Sequence, residues 1–296
     1  VDTGATETIS VESFTDGSGS RWNLISNPYP SYIIIGPSTT NNTFLEVNDD
    51  VIDDTFVGVY GYDADNSNGS NYTIYNNTSS GQIAPGQGFF VAARSTTAAN
   101  ITFKEEMQTV SGSDDFISGD NIENTEIELR IYNDNSVVGN TKLFFGEGLT
   151  LGLDPGWDAG SYSQSASIMT RLIEEDEGDG MAINAMGVDA MENTVIPLVI
   201  NQSEGQEFRI NLHTATIPDP NIYLEDVEEG TFTNLYEEDF ILTPTSNLSE
   251  VGRFFIHMSA DTMSNEDVST SMLNAFKEVN ANYITIEGLA TQSNNI

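Results

Sequence analysis

Short apolar runs separated by polar turns recur along the whole chain. β-Branched and aromatic residues cluster at positions 32–35, 56–60, 88–92, 195–200 and 252–257, and Gly, Asn, Asp, Ser and Pro separate these runs. This spacing is typical of sandwiches or barrels of short strands. Helical patterning is nearly absent; only residues 271–279 fit a short helix, and a hairpin strand fits them equally well. We predict an all-β fold of antiparallel sheets.

Polar stretches divide the chain into consecutive predicted parts. Residues 1–110 form a first β module, and the Gly-, Ser- and Asp-rich residues 111–123 form a linker. Residues 124–260 form a β-sandwich domain, followed by a second linker at 261–271. Residues 272–296 show one hairpin, which is marginal alone in water. We therefore expect two consecutive sandwich-like domains and the truncated beginning of a third β domain.

The charge of the chain is strongly one-sided. It carries 46 acidic and 9 basic side chains, a formal net charge of −37. A nucleic-acid binder neutralises phosphates with Lys and Arg, and an anionic membrane surface attracts the same residues. We therefore expect no nucleic-acid partner. We also expect no membrane insertion, because no apolar run approaches the roughly 18 residues of a span.

The scarcity of cysteine and histidine limits the chemistry further. The chain has no Cys and only two His, His213 and His257. Disulfides, thiolate zinc sites, cysteine nucleophiles and multi-histidine metal sites are excluded. We expect both histidines to be structural strand residues. No Gly-x-Ser-x-Gly motif is present, and we predict that the chain is not an enzyme.

The segment that begins at Asp63 is a candidate calcium loop. Asp63, Asp65 and Ser67 offer oxygen ligands at alternate positions before Gly69, the arrangement that a hard cation such as Ca²⁺ selects. The loop departs from the EF-hand pattern, because its glycine is seventh instead of sixth and Ile74 stands where a bidentate Glu belongs. The alternative is a polar hairpin loop without a metal.

Two acidic turns later in the chain are further calcium candidates. Asp154 and Asp158 flank Pro155-Gly156-Trp157, so two carboxylates surround one tight turn. Glu174 and Asp176 belong to a run with five acidic residues in six, which repel one another unless they are screened or bridged by a cation. The alternative is a plain solvated loop at each place.

Several aromatic residues are candidates for binding carbohydrate. Trp157, Tyr62 and Trp22 lead this group, because aromatic rings stack on pyranose faces while Asn and Asp take the hydroxyl groups. Tyr60, Tyr72 and Tyr75 extend the group. Trp157 is the best candidate for exposure because it lies in a loop rich in Gly and Asp. The alternative is that the tryptophans belong to the core.

Two proline- and glycine-containing motifs mark chain reversals. Asn27-Pro28-Tyr29-Pro30 fixes two φ angles and removes two amide donors, so the strand before it must end. Pro85-Gly86-Gln87-Gly88 suits a type II turn that leads into a strand. We expect the first motif to be a structural corner, and a ligand platform is the alternative.

These motifs together resemble a known family. Residues 21–30, 59–63 and 83–91 are similar to the "WNLxxNPYPS…IxPGQGFFV" module of large surface and secreted proteins from bacteria that use type IX secretion. Residues 144–147, 153–160, 181–185, 222–226 and 252–257 resemble the β-sandwich that often follows it. Residues 273–289 look like the opening of a type A C-terminal sorting domain, whose later half is missing here.

The resemblance implies an extracellular or cell-surface location and the type IX sorting machinery as a partner. It further implies a non-catalytic C-terminal stalk or adhesion segment of an exported protein, such as an adhesin. The alternative function is a pair of accessory carbohydrate-binding domains from a secreted polysaccharide-degrading enzyme. Extracellular polysaccharide or a cell-surface glycan would then be the ligand.

Overall fold

A computed structural model describes residues 6–13, 21–36, 42–62, 72–79, 81–110, 112, 125–216, 221–259, 274–276 and 285–287. Nearly all of its regular structure is strand, so the all-β prediction is confirmed. The chain divides into two compact units: unit 1 comprises residues 1–124 and 154–162, and unit 2 comprises residues 125–153 and 163–296. The predicted boundaries at 110, 123, 260 and 271 remain predictions.

Unit 1 is built from short strands, numbered here in chain order through both units. They are β1 (Glu7–Val11), β2 (Trp22–Ser26), β3 (Tyr32–Ile34), β4 (Val59–Tyr62), β5 (Tyr72–Tyr75), β6 (Gln82–Ile83), β7 (Gly88–Ala92), β8 (Ala99–Phe103), β9 (Gln108–Thr109) and β12 (Ala159–Gly160). A single α-helical turn, α1 (Phe44–Val47), and 3₁₀ turns at Asp54–Phe56 and Glu105–Met107 complete the described elements of unit 1.

The strands of unit 1 form three antiparallel sheets, of which one positions the candidate site. Its order is β2-β7-β4-β5, and the others are β6-β3-β9 and β1-β8. Because side chains alternate between the two faces of a strand, one face of the four-stranded sheet packs into the core through Ile25, Val59, Phe89 and Val91, all 6% exposed or less. The opposite face carries the alternate residues of the same strands.

The Asn-Pro-Tyr-Pro motif forms a corner at the end of β2, in which Asn27 and Tyr29 are buried and the two prolines are exposed. The side-chain amide of Asn27 donates to the carbonyl oxygens of Ser31, Ile83 and Ala84 at 2.8–3.1 Å, and its Oδ1 accepts from the Tyr29 amide at 3.0 Å. The Tyr29 hydroxyl donates to the Phe103 carbonyl at 2.9 Å. Asn27 is 2% exposed, so this motif joins the sheets internally.

Unit 2 contains longer strands around its own apolar core. They are β10 (Glu126–Asn133), β11 (Ser136–Gly146), β13 (Ile168–Thr170), β14 (Met181–Gly187), β15 (Asn193–Ile200), β16 (Phe208–Ala215), β17 (Asn221–Asp226), β18 (Thr231–Asn234), β19 (Phe240–Leu242) and β20 (Phe254–Ser259), with a 3₁₀ turn at Val188–Met191. Their order is β18-β17-β20-β15-β13-β14-β11-β10-β16-β19. The pair β11–β14 is parallel.

A final hairpin follows within the residues assigned to unit 2. Strands β21 (Asn274–Phe276) and β22 (Thr285–Glu287) pair antiparallel, with Ala275 opposite Ile286. Within the described part of the chain, none of the helices is long and apolar enough to span a membrane.

Candidate functional site

The outward face of the sheet β2-β7-β4-β5 carries a continuous group of aromatic rings. We call this group the aromatic face; its members are Trp22, Tyr60, Tyr62, Tyr72, Phe90 and Tyr162. The first five occupy alternate positions on adjacent strands, where Tyr60 pairs with Phe90 and Tyr62 pairs with Tyr72. Tyr162 is contributed by the segment 154–162, which belongs to unit 1 although it follows β11 in sequence. The aromatic face therefore combines distant parts of the chain.

Tyr162 lies across the middle of this face. Its ring stacks on Tyr72 with centroids 4.1 Å apart and planes 17° apart, and it tilts against Trp22 at 4.7 Å. Tyr62 meets the other side of Tyr72 in an edge arrangement at 5.5 Å. Offset stacks and edge contacts are the preferred geometries of aromatic pairs, so these rings support one another.

Hydrogen bonds to its own backbone carbonyls hold the segment 154–162 within unit 1. The Asn77 amide donates to the Gly156 carbonyl at 2.6 Å, and the Asn76 side-chain amide donates to the Trp157 carbonyl at 2.5 Å. The buried Tyr60 hydroxyl donates to the Gly160 carbonyl at 2.9 Å. Glycine is required at 160, because a Cβ atom there would lie 2.3 Å from the Phe56 ring.

Burial disfavours ionisation of two tyrosine hydroxyls of this face, those of Tyr60 and Tyr162. Desolvation raises the pKa of Tyr60 well above its usual value. Desolvation and a hydrogen bond with Tyr72 raise the pKa of Tyr162 to about 12. The two hydroxyls therefore stay protonated further into the alkaline range than an exposed tyrosine does.

One end of the face is open to solvent. Leu24 is 67% exposed and Tyr62 is 54% exposed. Gly88 pairs with Ser26 of β2, and the antiparallel register of β7 with β4 places it opposite Tyr62 on the other side. Leu24 and Tyr62 therefore flank Gly88, which has no side chain, and we call the surface formed by these three residues the Tyr62 trough.

The structure brings together two of the three leading carbohydrate candidates. Trp22 and Tyr62 both belong to the aromatic face, and Tyr62 is the exposed one. Trp157 is half-buried in the segment that docks on unit 1. Tyr60, also a member of the aromatic face, is fully buried. Tyr75 points into the core with 6% exposure.

Sequence reasoning missed Tyr162, Leu24 and Gly88 as parts of this site. Tyr162 lies 90 positions after Tyr72 in a segment that the sequence assigned to the second domain. No local pattern identifies its partner. Leu24 and Gly88 had a detectable signal, because strand alternation places them on the same face as Trp22 and Phe90.

The turn that begins at Asp154 supplies a hydrogen-bond donor to the buried carboxylate of Asp158. Asp158 is completely buried, and its Oδ2 accepts a hydrogen bond from the Asp154 amide at 2.6 Å. The amides of Trp157 and Asp158 donate to the Asp154 carbonyl at 2.9 and 3.0 Å. This carboxylate therefore closes the turn that positions the segment 154–162.

An arginine forms an ion pair with Asp176, one of the carboxylates of the acidic run at 174–179. Arg171 donates to both oxygens of Asp176 at 2.7–3.1 Å, and both side chains are more than 90% buried. Burial raises the pKa of Asp176, and Arg171 opposes this increase. Glu174 is exposed. The charge of Asp176 is thus compensated within the protein.

The remaining calcium candidates, Asp63, Asp65 and Ser67, lie outside the described residues. Among the residues that are described, no group of three or more His, Cys, Asp or Glu side chains is arranged to hold a metal ion. Calcium binding remains a prediction.

A cavity of about 430 Å³ in unit 1 is lined by the charged residues Glu46, Asp49, Asp54 and Arg94, among others. Arg94 pairs with Asp54 and donates to the Asp49 carbonyl at 2.6 Å. Thr43 donates its amide to Glu46 at 2.9 Å in the cap of α1. Two of the cavity's three carboxylates are therefore engaged in internal contacts.

The two histidines have different surroundings in unit 2. His257 of β20 is 2% exposed, and its Nε2 lies 2.7 Å from Glu225 Oε2. His213 is exposed on β16. His257 is therefore a buried strand residue whose Nε2 pairs with Glu225, while its Nδ1 is buried without a hydrogen-bond partner.

The chain belongs to a family described as a domain of unknown function (DUF8693), whose sequence model matches residues 2–258. The match includes residues of both compact units. Neither a search of curated proteins nor a search of solved structures found a match.

Proposed function

We propose that this chain is a non-catalytic adhesion segment of an exported bacterial protein, and that unit 1 binds a neutral polysaccharide in the Tyr62 trough. The observation that carries the proposal is the exposed end of the aromatic face. A tyrosine ring and a leucine there border a glycine floor instead of entering the core. Exposed apolar surface of this kind marks binding sites on soluble proteins.

The trough has the chemistry that a sugar ring requires. The apolar C–H face of a pyranose packs on an aromatic ring, and the tyrosine hydroxyl supplies a polar edge. The Tyr62 ring contacts Tyr72, which in turn stacks on Tyr162. This preorganisation lowers the entropic cost of binding. Ser26, also exposed beside Gly88, offers a hydroxyl group to the ligand.

Charge decides which class of polysaccharide fits. The net charge of −37 creates a field that repels polyanions. Neutral chains such as glucans, xylans and mannans avoid this repulsion, whereas uronate-containing and sulfated chains do not. We therefore expect neutral polysaccharides to be the ligands. The two functional hypotheses, an adhesion segment and an accessory carbohydrate-binding domain, share this site. They differ only in the kind of exported protein to which the chain belongs.

Affinity electrophoresis through gels that contain one polysaccharide each tests the proposal. We expect at least one neutral polysaccharide to retard the chain, and Tyr62→Ala to abolish the retardation. The matched control is Tyr236→Ala, which removes a tyrosine of unit 2 that is 64% exposed. Equal retardation of Tyr62→Ala and the parent chain, or retardation by acidic polysaccharides alone, would refute the proposal.

The export part of the proposal rests on the resemblance to proteins of the type IX route. We infer an extracellular or cell-surface location with the type IX sorting machinery as partner. Antibody labelling of intact cells from the source bacterium tests this inference, with a strain that lacks the type IX translocon as control. Labelling of intact parent cells alone supports export by this route. Equal labelling of both strains contradicts it.

A further inference from the structure

Four oxidisable rings of the aromatic face follow one another in contact. The order is Trp22, Tyr162, Tyr72 and Tyr62, and successive centroids are 4.7, 4.1 and 5.5 Å apart. Trp and Tyr are the side chains that most readily lose one electron. Tyr62 connects this series to solvent because it is 54% exposed.

The central pair is arranged for reaction between its two members. The Tyr72 and Tyr162 planes are only 17° from parallel at 4.1 Å, which brings carbons of one ring into van der Waals contact with the other. Each ring is half-buried and has a second aromatic neighbour, Tyr62 for Tyr72 and Trp22 for Tyr162. The two rings therefore remain together without further ordering.

We propose that Tyr72 and Tyr162 form an oxidative modification site, at which hydrogen peroxide acting through a haem peroxidase joins the two rings as dityrosine. Each phenol loses one electron and one proton and becomes a phenoxyl radical. The radicals couple through a new bond between ring carbons ortho to the oxygens, and the hydrogens of these carbons move to the oxygens. One peroxide accepts the two electrons and two protons and leaves as two water molecules.

The surroundings favour this pair over more exposed tyrosines. Tyr62 receives oxidising equivalents at the surface and passes them inward, because its ring contacts Tyr72. Among the tyrosines that the structure describes, Tyr236 is the most exposed at 64%, so attack governed by accessibility alone would select it ahead of Tyr72 and Tyr162.

The cross-link would give a cysteine-free chain a covalent staple. Tyr72 lies on β5 and Tyr162 ends the docked segment 154–162, so the bond closes a loop of 90 positions. Cross-links that close long loops stabilise mainly by restricting the unfolded chain. This modification needs no glycan and is independent of the proposed binding function.

The test treats the full chain with peroxidase and limiting peroxide, isolates the monomer and maps its cross-linked peptides by mass spectrometry. We expect the main product to join the peptides of Tyr72 and Tyr162 within one molecule. We also expect the oxidised monomer to melt at least about 5 °C higher. Tyr162→Phe keeps the ring but not the hydroxyl, and we expect it to lose both the product and the shift. Tyr236→Phe should keep both.

The proposal is wrong if cross-links map mainly to Tyr236 or join different molecules. It is equally wrong if Tyr162→Phe yields as much intramolecular dityrosine as the parent chain. Tryptophan fluorescence of Tyr162→Phe before oxidation shows whether the variant keeps the fold. If it does not, Tyr72→Phe serves instead, because it removes the partner hydroxyl from the same pair.

Discussion

The contact between Gly160 and Phe56 gives a sharp test of how the segment 154–162 docks on unit 1. A Cβ atom at 160 would lie 2.3, 2.5 and 3.0 Å from three carbons of the Phe56 ring, whereas carbon atoms in contact prefer about 3.5–4.0 Å. Phe56 is 4% exposed, so its ring has little space into which to move. Gly160→Ala should therefore destabilise unit 1.

The expected loss follows from known costs of overpacking. Extra methylene groups in a packed core cost about 1–3 kcal/mol. Replacing Gly by Ala also reduces the conformational entropy of the unfolded chain, which stabilises the folded state by about 0.4–1 kcal/mol. A net loss of about 1–2 kcal/mol moves the urea midpoint of unit 1 down by about 0.5–1 M, for a slope near 2 kcal/mol per M.

Intrinsic tryptophan fluorescence reports this unfolding selectively, because both tryptophans of the chain, Trp22 and Trp157, lie in unit 1. Gly88→Ala in the same unit is the matched control, since its new methyl group would meet only ordinary contacts of 3.6 Å or more. In a Phe56→Ala background the clash is gone, and Gly160→Ala should then cost less than about 0.5 kcal/mol. Equal effects of Gly160→Ala and Gly88→Ala would refute the docking described here.

Three further predictions follow from the same structure. Residues 1–110 expressed alone lack the segment 154–162, so this fragment should bind a hydrophobic dye, and a synthetic 154–162 peptide should reduce the dye signal; a fragment without dye binding contradicts this. The raised pKa of Tyr162 favours its protonated form in the folded state, so its contribution to the free energy of unfolding is complete below pH 10 and is lost between about pH 10 and 12. Tyr162→Phe should flatten that loss in urea titrations at alkaline pH. An unchanged pH profile contradicts the assignment. If the loop that begins at Asp63 chelates calcium, calcium should raise the melting temperature and a chelator should reverse the increase; identical curves in sodium chloride of equal ionic strength would exclude the site.

Strand alternation predicted much of the fold because its signal is local. The runs at 88–92 and 195–200 became β7 and β15. On β7 the core residues Phe89 and Val91 alternate with residues of the other face, whereas residues 196–200 of β15 are buried without interruption. The helical turn α1 was not predicted, although Thr43 and Glu46 form a capping box that can be recognised in sequence. A four-residue helix is too short to show a period of 3.6.

Contacts between residues that are distant in sequence could not be predicted from local patterns. Trp22 and Tyr62 were identified as candidates by residue type, but nothing local places Tyr162 between Trp22 and Tyr72. The acidic run at 174–179 is a second example. The sequence shows only that its like charges repel one another, whereas the structure shows that Arg171 compensates the negative charge of Asp176. In each case the deciding partner depends on tertiary packing, which a pattern of neighbours does not encode.

Hydroxyl-radical footprinting with a bound neutral polysaccharide tests the central claim most directly. The method reports the solvent exposure of individual side chains, and Tyr62 and Leu24 begin at 54% and 67% exposure. We predict that the ligand protects these two residues, while Tyr236 and Ile241 of unit 2, at 64% and 58% exposure, react as before. Protection confined to unit 2, or a bound ligand that leaves Tyr62 as reactive as in the free protein, would contradict the account.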